Sequence, residues 1–417
     1  MRALRRAVLP VLIIVAVAIG GFACSSDATW RDPGETPDPP KINLIGPLDG
    51  ATGVPTSAEV EFTLEGASSA EVTLTDAAGA PIAGAMHPDG RSWVPGQQLA
   101  YSTQYTATVT ATKADGTSAQ VTTTFTTMDP PAQTVRIHSF NGDNITYGVG
   151  MPIVIRFDTA VPESARAAIQ RRMFVETNPP QEGIWHWMSS SYHDPGTEVH
   201  YRPKEYWLPG TTVHARIATG GMPWGIEGVY GGNDLTLDFT IGEAQIMEVD
   251  NATKQMVFIR NGQVIKTIPV SLGKPSTPSS YGTTVIMSKH AEYTFDTRRE
   301  LGVGEGYVVD VQYAERLTTG GEFIHAAPWS VAQQGNTNVS HGCINMSTEN
   351  ARWIYENVYV GDPVITRGTE VPLAWGNGFT DWNISWEEYV LGSAIPYVPP
   401  ASATPSATAS PTASPGA

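Results

Sequence analysis

Three observations predict a mainly β protein, with two tandem β-sandwiches followed by a third, β-rich domain carrying a few short helices. Alternating apolar and polar runs recur with turn signals about every ten residues. The 41 Gly and 32 Pro supply many turns and long connections. The length of 417 residues exceeds what one core fills at roughly 100–200 residues per domain. An apolar fraction of 41% with 16% charged residues is that of a folded soluble protein. Against 41 acidic side chains stand only 25 basic ones, a net charge of −16, so no global positive field exists to hold phosphates and no nucleic acid partner is expected.

The chain opens with Arg2, Arg5 and Arg6, an apolar run from Val8 to Ile19, and then Gly20-Gly21-Phe22-Ala23-Cys24. A basic head, a short apolar stretch and small residues describe an export signal over 1–23, too short for a comfortable membrane span. Cys24 stands where a bacterial lipoprotein is cut and lipid-linked, although Gly21 replaces the usual aliphatic residue. Lipidation at Cys24 is therefore expected, which would anchor the exported chain to the outer face of the membrane. The alternatives are ordinary cleavage nearby or a bridge to Cys343, the other of the two cysteines. Residues 24–43 are rich in Pro and charge and read as a tether; 396–417, built from Pro, Ala, Ser and Thr, read as a disordered tail.

Residues 44–130 alternate in Ala58–Phe62 and Tyr105–Val109, with turns at Asp76–Gly79 and Ala114–Gly116, as an immunoglobulin-like sandwich would. The theme repeats over 131–243, in Ile153–Phe157 and Leu235–Phe239. This second sandwich holds His186, His193 and His200 among Trp185, Trp187 and Tyr192. Spacing of seven fits no standard ligand pair on a strand, so no metal is expected there; the cluster reads as core and inter-domain packing, with a ligand surface as the alternative.

A third domain, 244–368, starts with strands Gln255–Ile259 and Val264–Val270 joined through Asn261-Gly262, a strong hairpin signal. It contains Cys343 in Ser340-His341-Gly342-Cys343-Ile344-Asn345, preceded by His325. A lone cysteine needs a base to become a nucleophile and backbone N–H groups to hold an oxyanion, and Gly342 lets a backbone approach a carbonyl closely. Either His325 or His341 can serve as that base. Cys343 as a small buried hydrophobe is the plain alternative, and a zinc site from His325, His341 and Cys343 lacks a fourth ligand. Glu292 to Gly306, with Gly302, Gly304 and Gly306, reads as an irregular mobile lid. The Trp-rich segment 369–395 is too short to fold alone and should dock on a neighbour.

His325 through Asn345 resembles the signature of L,D-transpeptidases of the YkuD type: a His, a fixed interval, then Ser/Thr-His-Gly-Cys and an Asn. Ser271–Pro278 and Tyr281-Gly282-Thr283 resemble the family's Gly…Thr-Pro…Gly region. The whole layout is similar to the actinobacterial lipoprotein branch with two immunoglobulin-like domains. The resemblance implies that Cys343 is the nucleophile and His325 its base, oriented by the Ala326 carbonyl. It implies an oxyanion held by the N–H groups of Cys343 and Gly342 with the Tyr307 hydroxyl close by, and a flap carrying Met287 and Tyr307. Trp329, Ser340, His341 and Asn345 would line or brace the substrate groove. The implied reaction, which needs no cofactor, joins tetrapeptide stems of peptidoglycan by 3→3 cross-links through a Cys343 thioester with release of D-Ala. Carbapenems would acylate the same sulfur. The rival readings are a carboxypeptidase or cysteine hydrolase of wall peptides and a catalytically silent wall-binding lipoprotein.

Overall fold

The computed structural model describes residues 38–188, 196–298, 306 and 308–399. Cys24 with the export signal, Tyr192, His193, Gly302, Gly304, Tyr307 and the last residues of the chain lie outside the described residues.

The first sandwich pairs two four-stranded sheets. One runs in the order Lys41–Gly46, Val60–Glu65, Ser92–Pro95, Gly84–Met86, and the other Pro81–Ile82, Ser69–Asp76, Gln104–Thr112, Ser118–Thr126. Along Gln104–Thr112 every second residue is buried. Tyr105, Ala107 and Val109 thus meet Phe62, Leu74 and Trp93 in the core, while outward threonines pair across the strands. The first strand begins at Lys41 rather than at 44, because Ile42 and Leu44 already pack on that core.

The second sandwich repeats the plan with Ile137–Ser139, Ile153–Phe157, Thr197–Pro203 and Gly183–Trp187 facing Thr146–Tyr147, Leu235–Ile241, Thr212–Ile217 and Met173–Asn178. It adds a helix, Glu163–Gln170, that buries Ala165 and Ile169. A polar seam joins the two sandwiches: Arg172 Nη1 donates to Glu59 Oε1 at 2.8 Å, Arg171 donates to Glu59 and Asp89, and Arg216 reaches the Pro95 carbonyl.

In the third domain a six-stranded sheet runs Gln263–Pro269, Gln255–Arg260, Gln245–Asp250, Pro363–Arg367, Ser280–Val285, Val371–Pro372. Asn261 and Gly262, at φ 51° and 77°, make the tight turn expected there. Met247, Phe258, Ile268, Leu272, Ile324 and Ile354 fill the core between this sheet, a four-stranded sheet and the helix Thr348–Asn357. Ser347 caps that helix by accepting the Asn350 N–H.

The four-stranded sheet runs Ser288–Asp296, Val308–Arg316, Phe323–Ala326, Ile344–Met346. Its first two strands form an antiparallel hairpin whose inward Tyr293, Phe295, Val309 and Val311 pack on Phe323. Only the start of the expected lid is corrected: Glu292–Asp296 is regular strand, with Tyr293 and Phe295 supplying the alternation, and 299–305 lie outside the described residues. Its last two strands are parallel and set His325 opposite Asn345.

The C-terminal extension docks on both neighbours. Thr283 N–H donates to Asn383 Oδ1, and Trp382 Nε1 donates to the Gly150 carbonyl at 2.7 Å. Arg202 lies over the rings of Trp382, Trp386 and Tyr389. His200 Nδ1 meets Asp381 at 2.9 Å, and His186 Nδ1 donates to the Tyr389 carbonyl. His186 and His200 are therefore seats of this extension while Trp185 and Trp187 pack in the sandwich core, as the packing reading expected for the described members of that cluster.

Candidate active site

Parallel pairing of Phe323–Ala326 with Ile344–Met346 brings the two ends of the motif together, although 18 positions separate His325 from Cys343 in sequence. Alternation along the first strand sends Ile324 and Ala326 into the domain core and leaves Phe323 and His325 toward the hairpin. His325 and Cys343 line one cavity of about 280 Å³, with Phe295 and Trp329 on its walls.

His325 is 5% exposed, and its Nδ1 lies 2.9 Å from the Ala326 carbonyl. A carbonyl only accepts, so Nδ1 carries the proton and Nε2 keeps its lone pair. Burial pulls the imidazole down to about 4, against the Ala326 bond, so the ring is neutral at physiological pH. Cys343 keeps part of its surface open to the cavity. Apolar surroundings push its thiol up to about 12, with the Phe323 N–H opposing and the nearby Glu322 charge adding to the rise. Its Sγ lies 3.8 Å from the Gly321 carbonyl, as a thiol donor would. The resting pair is thus thiol and imidazole, not an ion pair.

The loop presenting Cys343 is tied on several sides. Ser340 Oγ donates to the Cys343 carbonyl at 2.6 Å and accepts the Gly342 N–H at 3.1 Å. Ser279 Oγ donates to the Gly342 carbonyl at 2.6 Å. Gly342 sits at φ 125°, a conformation that side chains resist. One expectation is corrected here: the Gly342 N–H is engaged by Ser340, so it is not a waiting oxyanion donor. No hydrogen bond from the Cys343 N–H is seen among the described residues.

Trp329, Ser340, His341 and Asn345 all line the cavity. Trp329 is 58% exposed at the rim, and Asn345 is buried with Oδ1 unpartnered. His341 takes an exposed position with Nε2 3.0 Å from Lys274 Nζ. Met287 is a second correction. It follows Ser280–Val285 at the far end of the hairpin and packs against the core cluster of the second sandwich, because its neighbours there are apolar and the cavity lies elsewhere. Tyr307 lies outside the described residues.

Sequence reasoning missed the Thr318–Glu322 turn. Arg316 Nη1 donates to the Thr318 and Thr319 carbonyls, and Gly320 N–H donates to Asn377 Oδ1 of the C-terminal extension at 2.7 Å. The Gly320-Gly321 doublet shortly before His325 was the available signal.

Comparison with known proteins shows what the chain is similar to. Residues 244–366 match the family described as the L,D-transpeptidase catalytic domain, and 51–223 match the bacterial Ig domain. The chain is 36% identical to L,D-transpeptidase 2 of Mycobacterium tuberculosis over 94% of this chain and 96% of that one. It is 34% identical to L,D-transpeptidase 5 of the same species over 91% of this chain and 82% of that one. A solved complex of an L,D-transpeptidase with imipenem is similar at 34% identity and a TM-score of 0.47, covering 57% of this chain and all of that one. Similarity running through both sandwiches and the cysteine-bearing domain, over nearly the full length of both chains, shows that the protein belongs to the L,D-transpeptidase family.

Proposed function

We propose that this transpeptidase forms 3→3 cross-links between peptidoglycan stems through a thioester on Cys343. The observation that supports this most is the shared cavity of Cys343 and His325, with the His325 tautomer fixed by the Ala326 carbonyl. Sulfur attacks the carbonyl joining the third residue of a tetrapeptide stem to its terminal D-Ala, and the thiol proton passes to His325. The Cys343 N–H stabilises the oxyanion, and His325 returns the proton to the departing amine of D-Ala. An amine on the third residue of a second stem then attacks the thioester, losing a proton to His325 and freeing the thiol. Trp329, Ser340, His341 and Asn345 border the groove that holds the donor stem.

In this reading 1–23 is an export signal, Cys24 carries a lipid anchor, and the sandwiches hold the catalytic domain away from the membrane within reach of the wall. Carbapenems acylate Cys343 by the same attack on a carbonyl.

Incubating the purified protein with a disaccharide-tetrapeptide, followed by mass spectrometry, tests the reading. D-Ala release, a Cys343-dependent adduct and a cross-linked dimer are expected, and Cys343→Ala should lose all three. Release of D-Ala without dimer would instead favour a carboxypeptidase, and no adduct would favour a silent wall-binding protein.

A further inference from the structure

Glu322 lies between the Gly320-Gly321 turn and the strand of His325, and the chemistry proposed above leaves it unused. Its Oε1 accepts both the N–H and the hydroxyl of Ser280, at 3.1 and 2.7 Å. The neighbouring Ser279 donates to the carbonyl of Gly342. Two consecutive serines therefore hold, on one side, the Glu322 carboxylate and, on the other, the peptide that leads into Cys343. The Glu322 side chain packs directly against Gly342: a Cβ built there would stand 3.6 Å from Glu322 Cγ and 3.9 Å from Oε1. Thr318 Oγ1 accepts the Glu322 N–H, and the Leu317 N–H donates to the Glu322 carbonyl, so the backbone beneath this side chain is fixed as well.

We infer that Glu322 is a positioning residue with two separable effects: through Ser280 and Ser279 it fixes the Gly342–Cys343 peptide, and through its charge it restrains the reactivity of the Cys343 sulfur. The inference rests on Cys343 being the reactive group. The titratable and charged groups around the sulfur are His325 across the cavity, Glu322 behind the loop, Arg316 on the hairpin strand, and His341 with Lys274 at the mouth. His325 is neutral, so among these Glu322 is the group whose negative charge opposes a thiolate. Burial also raises the Glu322 carboxyl above its ordinary range, against the Ser280 bonds. When ionised, a carboxylate so placed adds to the burial that holds the thiol protonated, which makes the sulfur less open to oxidants and adventitious electrophiles.

Two substitutions separate the effects. Glu322→Gln keeps an oxygen that can accept from Ser280 and removes the charge; Glu322→Asp keeps the charge and is too short to hold Ser280. The readouts are the pH profile of Cys343 alkylation by iodoacetamide and, separately, the rate of D-Ala release from a disaccharide-tetrapeptide. Thermal melting confirms that each variant is folded. Glu322→Gln should move the alkylation midpoint to lower pH and raise the rate at fixed neutral pH about three- to tenfold. Glu322→Asp should leave the midpoint in place and slow D-Ala release about tenfold through a misplaced loop. An unmoved midpoint in Glu322→Gln, or full D-Ala release in Glu322→Asp, overturns the inference. Alkylation needs no stem peptide, so a wild-type protein that is alkylated at Cys343 yet releases no D-Ala refutes the transpeptidase reading without touching the charge effect.

Discussion

Two buried histidines in this molecule carry opposite lessons. His200, at 0% exposure, has a carboxylate on each ring nitrogen: Asp381 at Nδ1 and Glu198 at Nε2. Burial would lower its pKa, yet the two carboxylates push it up to about 10, and the ring is a cation. Tyr389 donates to the same Asp381, and both side chains of the His200–Asp381 pair are fully buried. His325 is nearly as buried, but its hydrogen-bond partner among the described residues is a carbonyl, and burial pulls it down to about 4. In one site both ring nitrogens and both Asp381 oxygens are partnered, which makes a clamp. The other keeps an unprotonated nitrogen in a ring that lines the cavity of Cys343, which is what the proposed base requires.

The largest expected difference is in activity. His325→Ala should slow D-Ala release by about 10²–10⁴-fold, and Cys343→Ala should abolish it, with stability in urea changed by only about 1 kcal/mol. His200→Ala should do the reverse. Stranding Asp381 without its partner should cost about 3–5 kcal/mol of unfolding free energy, while Cys343 remains open to alkylation in the protein that stays folded. A His200→Ala protein as stable as wild type would show that the two sites do not differ in the way argued here.

The family, the β architecture and the meeting of His325 with Cys343 in one cavity were legible in the sequence because they rest on local patterns: Asn261-Gly262 as a turn, Tyr105–Val109 as an alternating strand, and a motif that keeps the two residues at fixed spacing. What the sequence hid was long-range. Nothing local says that Asp381 is the partner of His200, 181 positions away. Nor does the motif show that Ser340 occupies the Gly342 N–H, because that contact depends on how the loop closes. Met287 was misplaced for a related reason: an apolar residue at a strand end reads the same whether it covers a cavity or packs on a neighbouring domain.

The contrast also has a pH signature. The folded pKa of His200 is raised above the ordinary value of 6.5 to about 10, so its stabilisation is complete below about pH 6.5 and fades as pH climbs toward 10. His325 is lowered to about 4, so the unfolded chain takes up its proton first, and stability falls as pH drops from about 6.5 toward 4. Urea midpoints measured from pH 5 to pH 9.5 should therefore show two distinct differences from wild type. His200→Ala should flatten the alkaline limb, and His325→Ala should flatten the acid limb. Identical pH dependence in the two variants would contradict the opposite charge states.

The smallest expected effect tests whether the clamp reaches the catalytic cavity. Asp381 belongs to the same short segment as Asn377, whose Oδ1 accepts the Gly320 N–H, and the Gly321 carbonyl next to it is the one that faces Cys343 Sγ. Asn377→Ala removes one hydrogen bond and should cost about 1 kcal/mol of stability. If the extension is only a packing element, D-Ala release below the melting range should be unchanged. If it positions the Gly320-Gly321 turn, acylation should slow severalfold while iodoacetamide still reaches Cys343, and Asn377→Asp, which keeps an oxygen for Gly320, should restore most of the rate. We expect the second result, because Gly320 N–H has an acceptor in Asn377 and the turn carrying it borders the sulfur directly.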